Sequence, residues 1–161
     1  MLTGKKIVLG VSGGIAAYKM ANVASMLSKL HADIHVVMTE NATHFITPET
    51  FEVLTGNHCY TDTFDRCMEL HVPHIALGTQ ADAILIAPAS ADVVGKIANG
   101  IADDMLTTCV LPATCPVMLA PSMNVHMYEN PIVQDNMKKL VSYGYEIIEA
   151  DEGYLECRDI G

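Results

Sequence analysis

Positive charge is what this sequence has least of. Lysine and arginine number nine against 19 aspartates and glutamates, a formal net charge of −10 over 161 residues, and the nine cations are scattered with no basic stripe. A surface built for nucleic acid or anionic lipid is therefore excluded. Any phosphate the protein binds must be held chiefly by backbone N–H groups and a helix N-terminus. Paired cysteines are also missing. The five (Cys59, Cys67, Cys109, Cys115 and Cys157) are odd in number and contain no C-x-x-C, which points to reduced thiols in a cytoplasmic protein rather than a disulfide framework or a zinc knuckle. No HExxH occurs. Apolar runs are short as well: only IVLGV follows Lys5-Lys6 before Ser12-Gly13-Gly14, so neither a signal-peptide core nor a membrane span fits. There are no internal repeats and no low-complexity tract.

What is present is a chain half hydrophobic, long enough for one good core and read as one domain over 1–161. IVLGV, closed by Ser-Gly-Gly, has the pattern of a strand buried on both faces. Ala16, Met20, Val23, Ala24, Leu27 and Leu30 then fall at helical spacing. The alternation continues: strands are expected at 33–39, 81–90, 115–124 and 145–150. One helical stripe runs through Val94, Ile97, Ala98 and Ile101, a short helix capped by Asp103 or Asp104 runs to Val110, and another helix covers 131–142. This predicts an α/β fold, a Rossmann-like three-layer domain with a parallel sheet and helices on both faces. Three strand ends carry small polar residues: SGG, APAS and APSMN. In open α/β sheets the ligand lies outside such carboxyl ends.

Taken singly, these motifs have plain structural readings. VSGGIAAYK lacks the full G-x-G-x-x-G and any G-K-[ST], so it reads either as a phosphate turn or as a tight strand-to-helix connection. Thr39, just past the second strand, can add a hydroxyl to the same anion. His31, His35, His44 and His58 read as surface or satisfied groups, and Pro73 separates His71 from His74 as a shared helical face. His74 alone is either a core histidine or a base. Met123 and Met127 at helical spacing read first as gap-filling core. Asn124 is expected to be buried, and a buried amide must either cap a helix or reach a ligand, for which a carboxylate acceptor would suit its NH2 group. Cys157 sits in DEGYLECRDIG, where acidic neighbours disfavour a thiolate.

Together, SGGIAAYK, HIAL (74–77), PASAD (88–92), GKIANGIADDMLTT, APSMNVHMYENP and LECRDIG occur in an order that resembles the flavin-containing cysteine decarboxylases across essentially the whole chain. PASA followed by P-x-M-N-x-x-M is the specific combination. The resemblance implies a flavodoxin-like domain that binds FMN near a subunit boundary of a homotrimer, with trimers gathering into larger shells such as a dodecamer. It implies that Gly13, Gly14 and Ile15 lie along the flavin phosphate with Thr39 and Asn41 beside it. Ser90, Ala91 and Asp92 would approach the phosphate and ring, and Ser122 the flavin. His74 would be the catalytic base, and Asn124 the amide reading the substrate carboxylate, with Met127 nearby. Tyr154, Leu155 and Glu156 would form a flap within about 151–161, and Cys157 would be the proton donor of a final reduction. In this branch the substrate is 4′-phosphopantothenoylcysteine and the product 4′-phosphopantetheine, in coenzyme A biosynthesis.

The sequence departs from the family pattern at several places. Ala76 stands for a usual glutamate, Asp92 for asparagine, Ser122 for alanine, Tyr128 for tryptophan and Arg158 for glycine. Members continue past Ile160-Gly161 through a basic glycine stretch, so the sequence reads as a trimmed or a short stand-alone form. Two relatives offer other readings. A lantibiotic-type peptidyl-cysteine decarboxylase stops at the enethiol and does without the reducing cysteine. A non-catalytic phosphatase-inhibiting subunit typically carries acidic extensions or lacks part of the site. Flavin prenyltransferases lack the P-x-M-N-x-x-M stretch.

Overall fold

The computed structural model describes residues 1–65 and 72–149. Six strands form one sheet: β1 (Lys6–Val11), β2 (Asp33–Met38), β3 (Cys59–Tyr60), β4 (Ala83–Ala89), β5 (Val117–Pro121) and β6 (Glu146–Ile147). Every neighbouring pair is parallel, in the order β3-β2-β1-β4-β5-β6. Between them run α1 (Met20–Lys29), α2 (Pro48–Thr55), α3 (Pro73–Gln80), α4 (Ala91–Ala98), α5 (Met105–Val110), α6 (Val125–Tyr128) and α7 (Pro131–Ser142).

Side-chain alternation along β1 builds two apolar layers, since successive residues of a strand face opposite sides. Leu9 and Val11 join Ala24 of α1 and Phe51 of α2 on one side. Val8 joins Leu77 of α3, Val94 of α4, Leu106 of α5 and Leu140 of α7 on the other. Both faces are therefore covered, as a parallel sheet requires, and the three-layer expectation holds. Because the sequence of strands runs outward in both directions from β1 and β4, the chain reverses at that pair. A crevice opens there beyond the carboxyl ends of the strands.

The structure corrects several local expectations. The predicted helix after the glycines starts as a 3-10 turn over Ile15–Lys19 before α1. Ala17 rather than Ala16 is buried in it, because the tighter turn rotates the apolar face. Leu30 and Ile101 fall just past the ends of their helices and are exposed. Among the described residues, the segment near 145–150 contributes the two residues of β6, and β3 is not among the expected strands. Asp104, not Asp103, is the cap of α5. Its carboxylate accepts from the Thr107 N–H and hydroxyl at 2.8 Å each, while the Thr107 hydroxyl lies 3.3 Å from the Asp104 N–H, a reciprocal capping box.

Candidate functional site

The crevice is built around one hydroxyl. Ser12, fully buried at the end of β1, donates its proton to the carbonyl of Pro88 at the end of β4 and accepts from the Ser90 N–H at 2.9 Å. That contact fixes the turn at which Ser90 becomes the cap of α4, with its Oγ accepting from the Val93 N–H at 3.3 Å. The Ala91 and Asp92 N–H groups that precede Val93 at the start of α4 have no intrahelical partners, as at any helix start. On the other side, the loop after β2 brings in Thr39 and Asn41. Thr39 is only 8% exposed, and its Oγ1 accepts from the Ala42 N–H at 3.3 Å, which leaves the hydroxyl proton to donate elsewhere. A Cβ on Gly13 would overlap the Cβ of Asn41 and stand 3.1 Å from its carbonyl carbon. Glycine is needed here for close approach of two loops.

A cavity of about 240 Å³ lies between these loops. Gly13, Thr39, Asn41, Ser90 and Asp92, all expected at the site, line it together with Glu40, Val93, Lys96, Asp103 and Asp104. Gly14, Ile15, Ala91 and Ser122 are not among its lining residues. Ile15 is 51% exposed, and Ser122 is exposed at the end of β5 with its N–H donated to Ala89. In the sequence Ser12 reads only as part of a glycine turn and Lys96 as one of the scattered cations, and nothing there singles out Glu40. The i, i+4 spacing of Asp92 and Lys96 was the available signal.

The neutral corner of the cavity fits a phosphate monoester. It offers the glycine backbone, the Thr39 hydroxyl, the Asn41 side chain and the N-terminus of an eight-residue helix, the donor set that holds an anion without an arginine or lysine. The volume suits the phosphate and polyol end of a nucleotide rather than a whole one, since complete ligand pockets run to about 300–1,000 Å³. The opposite wall is acidic. There the ammonium of Lys96 gathers Asp103 at 3.1 Å, Asp92 at 3.2 Å and Asp104 at 3.8 Å. Burial works against the Lys96 charge, but the hydrogen bonds to Asp103 and Asp92 outweigh it and raise the lysine above its usual value.

The remaining expected groups stand apart from this cavity. His74 is the second residue of α3, after Pro73 at the helix start. Gly78 lets α3 settle on α5: a Cβ there would overlap the carbonyl oxygen of Cys109 and reach within 2.9 Å of Pro112. The Nδ1 of His74 is buried and has no hydrogen-bond partner among the described residues, a cost of about 1–3 kcal/mol for an ordinary core position. Asn124 is only partly buried, which corrects the premise that it is a buried amide. It caps α6, its Oδ1 accepting from the His126 N–H at 2.9 Å. With the oxygen engaged, the NH2 end is the one left to face a ligand. Met127, in α6, is 49% exposed rather than core. Among the other histidines, His35 pairs with Asp33 and His58 lies between Glu52 and Asp65, the satisfied condition expected of them. Tyr154, Leu155, Glu156 and Cys157, and the flap segment that contains them, lie outside the described residues.

A family model described as Flavoprotein matches residues 1–161. The chain belongs to the flavoprotein family. Among curated relatives, this flavoprotein chain is 49% identical over 161 residues to the coenzyme A biosynthesis bifunctional protein CoaBC of Bacillus subtilis (strain 168), covering all of this chain and 40% of the relative. It thus spans about two fifths of the length of the CoaBC proteins it matches. It is 43% identical over 159 residues to a "Probable phosphopantothenoylcysteine decarboxylase" of Streptococcus mutans serotype c, covering 98% of this chain and 89% of the relative. Two solved structures share the fold. The FMN-dependent cysteine decarboxylase SpaF has a TM-score of 0.88 at 38% identity, with 95% and 88% of the two chains covered. A cysteine-to-serine mutant of PPC decarboxylase complexed with pantothenoylaminoethenethiol has a TM-score of 0.85 at 30% identity, with 98% and 88% covered. The parallel three-layer fold is that of these enzymes.

Proposed function

We propose that the chain is an FMN-dependent phosphopantothenoylcysteine decarboxylase, converting 4′-phosphopantothenoylcysteine to 4′-phosphopantetheine in coenzyme A biosynthesis. The observation that carries this reading is the β1/β4 crevice, where Gly13, Thr39, Asn41 and Ser90 present neutral donors at the start of α4 in a flavoprotein chain. The near full-length likeness to the S. mutans protein supports the choice of substrate.

The reaction explains why a decarboxylase needs a flavin. Direct loss of CO2 from an N-acylated cysteine would leave a carbanion with no adjacent electron sink. When bound, FMN supplies the two-electron oxidation of the thiol-bearing carbon and later returns a hydride. In the substrate, the C–S single bond becomes C=S, with loss of two electrons and two protons. The thioaldehyde lies β to the carboxylate, so CO2 departs and its bonding electrons enter an enethiolate. Reprotonation with return of two electrons gives the saturated thiol. No outside oxidant is consumed.

In this scheme Gly13, Gly14 and Ile15 run along the phosphate. Thr39 and Asn41 would lie beside it, and Ser90, Ala91, Asp92 and Ser122 would approach the cofactor from the ends of β4 and β5. His74 moves the proton at the oxidation step, using an imidazole whose Nδ1 has no competing partner among the described residues. Asn124 donates its NH2 to the substrate carboxylate beside Met127. Tyr154, Leu155 and Glu156 would close over the substrate, and Cys157 would donate the last proton. His74 and Asn124 stand apart from the cavity within one chain. Ile15, Ile75 and Met127 are half-exposed apolar side chains that a neighbouring subunit would cover. Both facts support a homotrimer, assembling further to a dodecamer, in which adjacent subunits complete each site. Free Cys59, Cys109 and Cys115 support a cytoplasmic setting.

A second reading, a peptidyl-cysteine oxidative decarboxylase, draws support from the likeness to the peptidyl-cysteine decarboxylase EpiD, with a TM-score of 0.80 at 26% identity and 91% and 88% of the two chains covered. Cys157 separates the two, because only the coenzyme A enzyme reduces the enethiol. The test is a visible spectrum of the purified protein with added FMN, then mass analysis of products from 4′-phosphopantothenoylcysteine. The expected results are a bound flavin spectrum and 4′-phosphopantetheine. In Cys157→Ser the expected product is the enethiol two hydrogens lighter, with CO2 still released, since a hydroxyl is a far weaker acid than a thiol. A colourless protein that takes up no FMN would sink the reading. Wild-type protein that releases only the enethiol would favour the peptidyl-cysteine alternative.

A further inference from the structure

The acidic wall of the cavity is at odds with an anion site. Glu40, Asp92, Asp103 and Asp104 line it with one ammonium, that of Lys96, while a phosphate monoester brings about −1.5 to −2 charges of its own. Like charges in a partly desolvated cleft repel strongly. Asp92 presents a second problem. As the second residue of α4 it stands where a carboxylate is drawn to the helix N-terminus, the very groups a phosphate would use. In the structure it is held elsewhere: the Lys96 ammonium, one turn further along α4, takes its carboxylate at 3.2 Å and that of Asp103 at 3.1 Å. Asp104 is doubly engaged, with Lys96 at 3.8 Å and as the cap of α5.

We infer that Lys96 is the residue that makes this cavity selective for a phosphorylated flavin. By gathering Asp92, Asp103 and Asp104 around one ammonium, it offsets part of the wall's negative charge and keeps Asp92 off the first N–H groups of α4. It acts through these carboxylates as a positioning residue. The inference rests on the flavin reading of the cavity and adds a discriminating element to it: the device matters for a ligand with a phosphate and not for one without.

The experiment compares FMN with riboflavin, which differs by that phosphate alone. Dissociation constants for both are measured by flavin fluorescence on the full chain freed of cofactor. The proteins are the wild type, Lys96→Met, Lys96→Arg and the double variant Lys96→Met/Asp103→Asn. In Lys96→Met, FMN should weaken by about tenfold or more, the scale of one lost charge-assisted interaction, with riboflavin changed by less than about twofold. Lys96→Arg should keep FMN near the wild-type value, and the double variant should recover part of the loss. Equal weakening of FMN and riboflavin in Lys96→Met would mean a merely structural role and overturn the inference. So would unchanged FMN affinity. Wild-type protein that binds no FMN would instead overturn the flavin reading itself, a distinct result.

Discussion

The backbone of Asn41 lies against Gly13 so closely that its carbonyl carbon is 3.1 Å from where a Cβ on the glycine would stand, and its own Cβ is nearer still. Two loops from different strands therefore share one wall of the cavity.

Gly13→Ala should push them apart. Relieving such overlap costs about 1–3 kcal/mol, and it moves Asn41 and the glycine backbone together. We expect FMN affinity to fall by about tenfold or more with a modest drop in unfolding temperature. Fluorescence titration and a thermal melt measure both, and unchanged affinity would show that this wall does not touch the cofactor.

Asn124→Asp separates the two jobs of one side chain. Aspartate keeps an oxygen for the His126 N–H, so the cap of α6 survives. What is lost is the NH2 end, replaced by a charge facing the substrate's carboxylate. Flavin binding and unfolding temperature should hold while decarboxylation is abolished. CO2 release at the wild-type rate would remove Asn124 from the substrate site.

His74→Asn should lower turnover by about 10²–10⁴-fold, the usual contribution of a positioned base. Because its Nδ1 is buried without a partner among the described residues, the wild-type imidazole gains little stability there, and the variant's unfolding temperature should not fall. A variant that keeps full turnover would make His74 a core residue, and one that melts early would give the imidazole a structural role.

Thiol chemistry offers a test independent of catalysis. Burial, reinforced by Glu52 and Glu49, pushes the Cys59 thiol up to about 12. Burial with the charge of Asp104 does the same for Cys109, also to about 12. At pH 8 roughly one in 10⁴ of either would be thiolate, the reactive form. Native protein treated with iodoacetamide at pH 8 should leave both unmodified on peptide mapping, and denatured protein should label both. Rapid native labelling at either position would contradict the packing described.

How much of this was readable in the sequence depended on how much each feature shows in a linear pattern. β1, β2, β4 and β5 announce themselves as apolar runs because both faces are covered. β3 does not: Cys59 and Tyr60 pair only with Val36 and Val37, and two residues carry no period. The neutral half of the cavity was legible, since Gly13, Thr39 and Ser90 sit at strand ends where only turns or ligands call for them. The acidic half was not. Lys96 looks like solvated surface charge and Asp103 like a candidate cap until the connection from α4 to α5 folds back and brings them within 3.1 Å. Asn124 is partly exposed rather than buried as expected, because the proline and methionines around it suggest an interior that α6 leaves half open.

Ser12 has a consequence for how a ligand is received. Its hydroxyl spends its proton on Pro88 and accepts the Ser90 N–H, so this buried serine is already committed to the protein. The two central strands thus end in a shared joint that is complete before anything binds. A phosphate bound at α4, as proposed, would meet donors whose ordering was accomplished during folding, and preorganisation of that kind raises affinity without adding a contact.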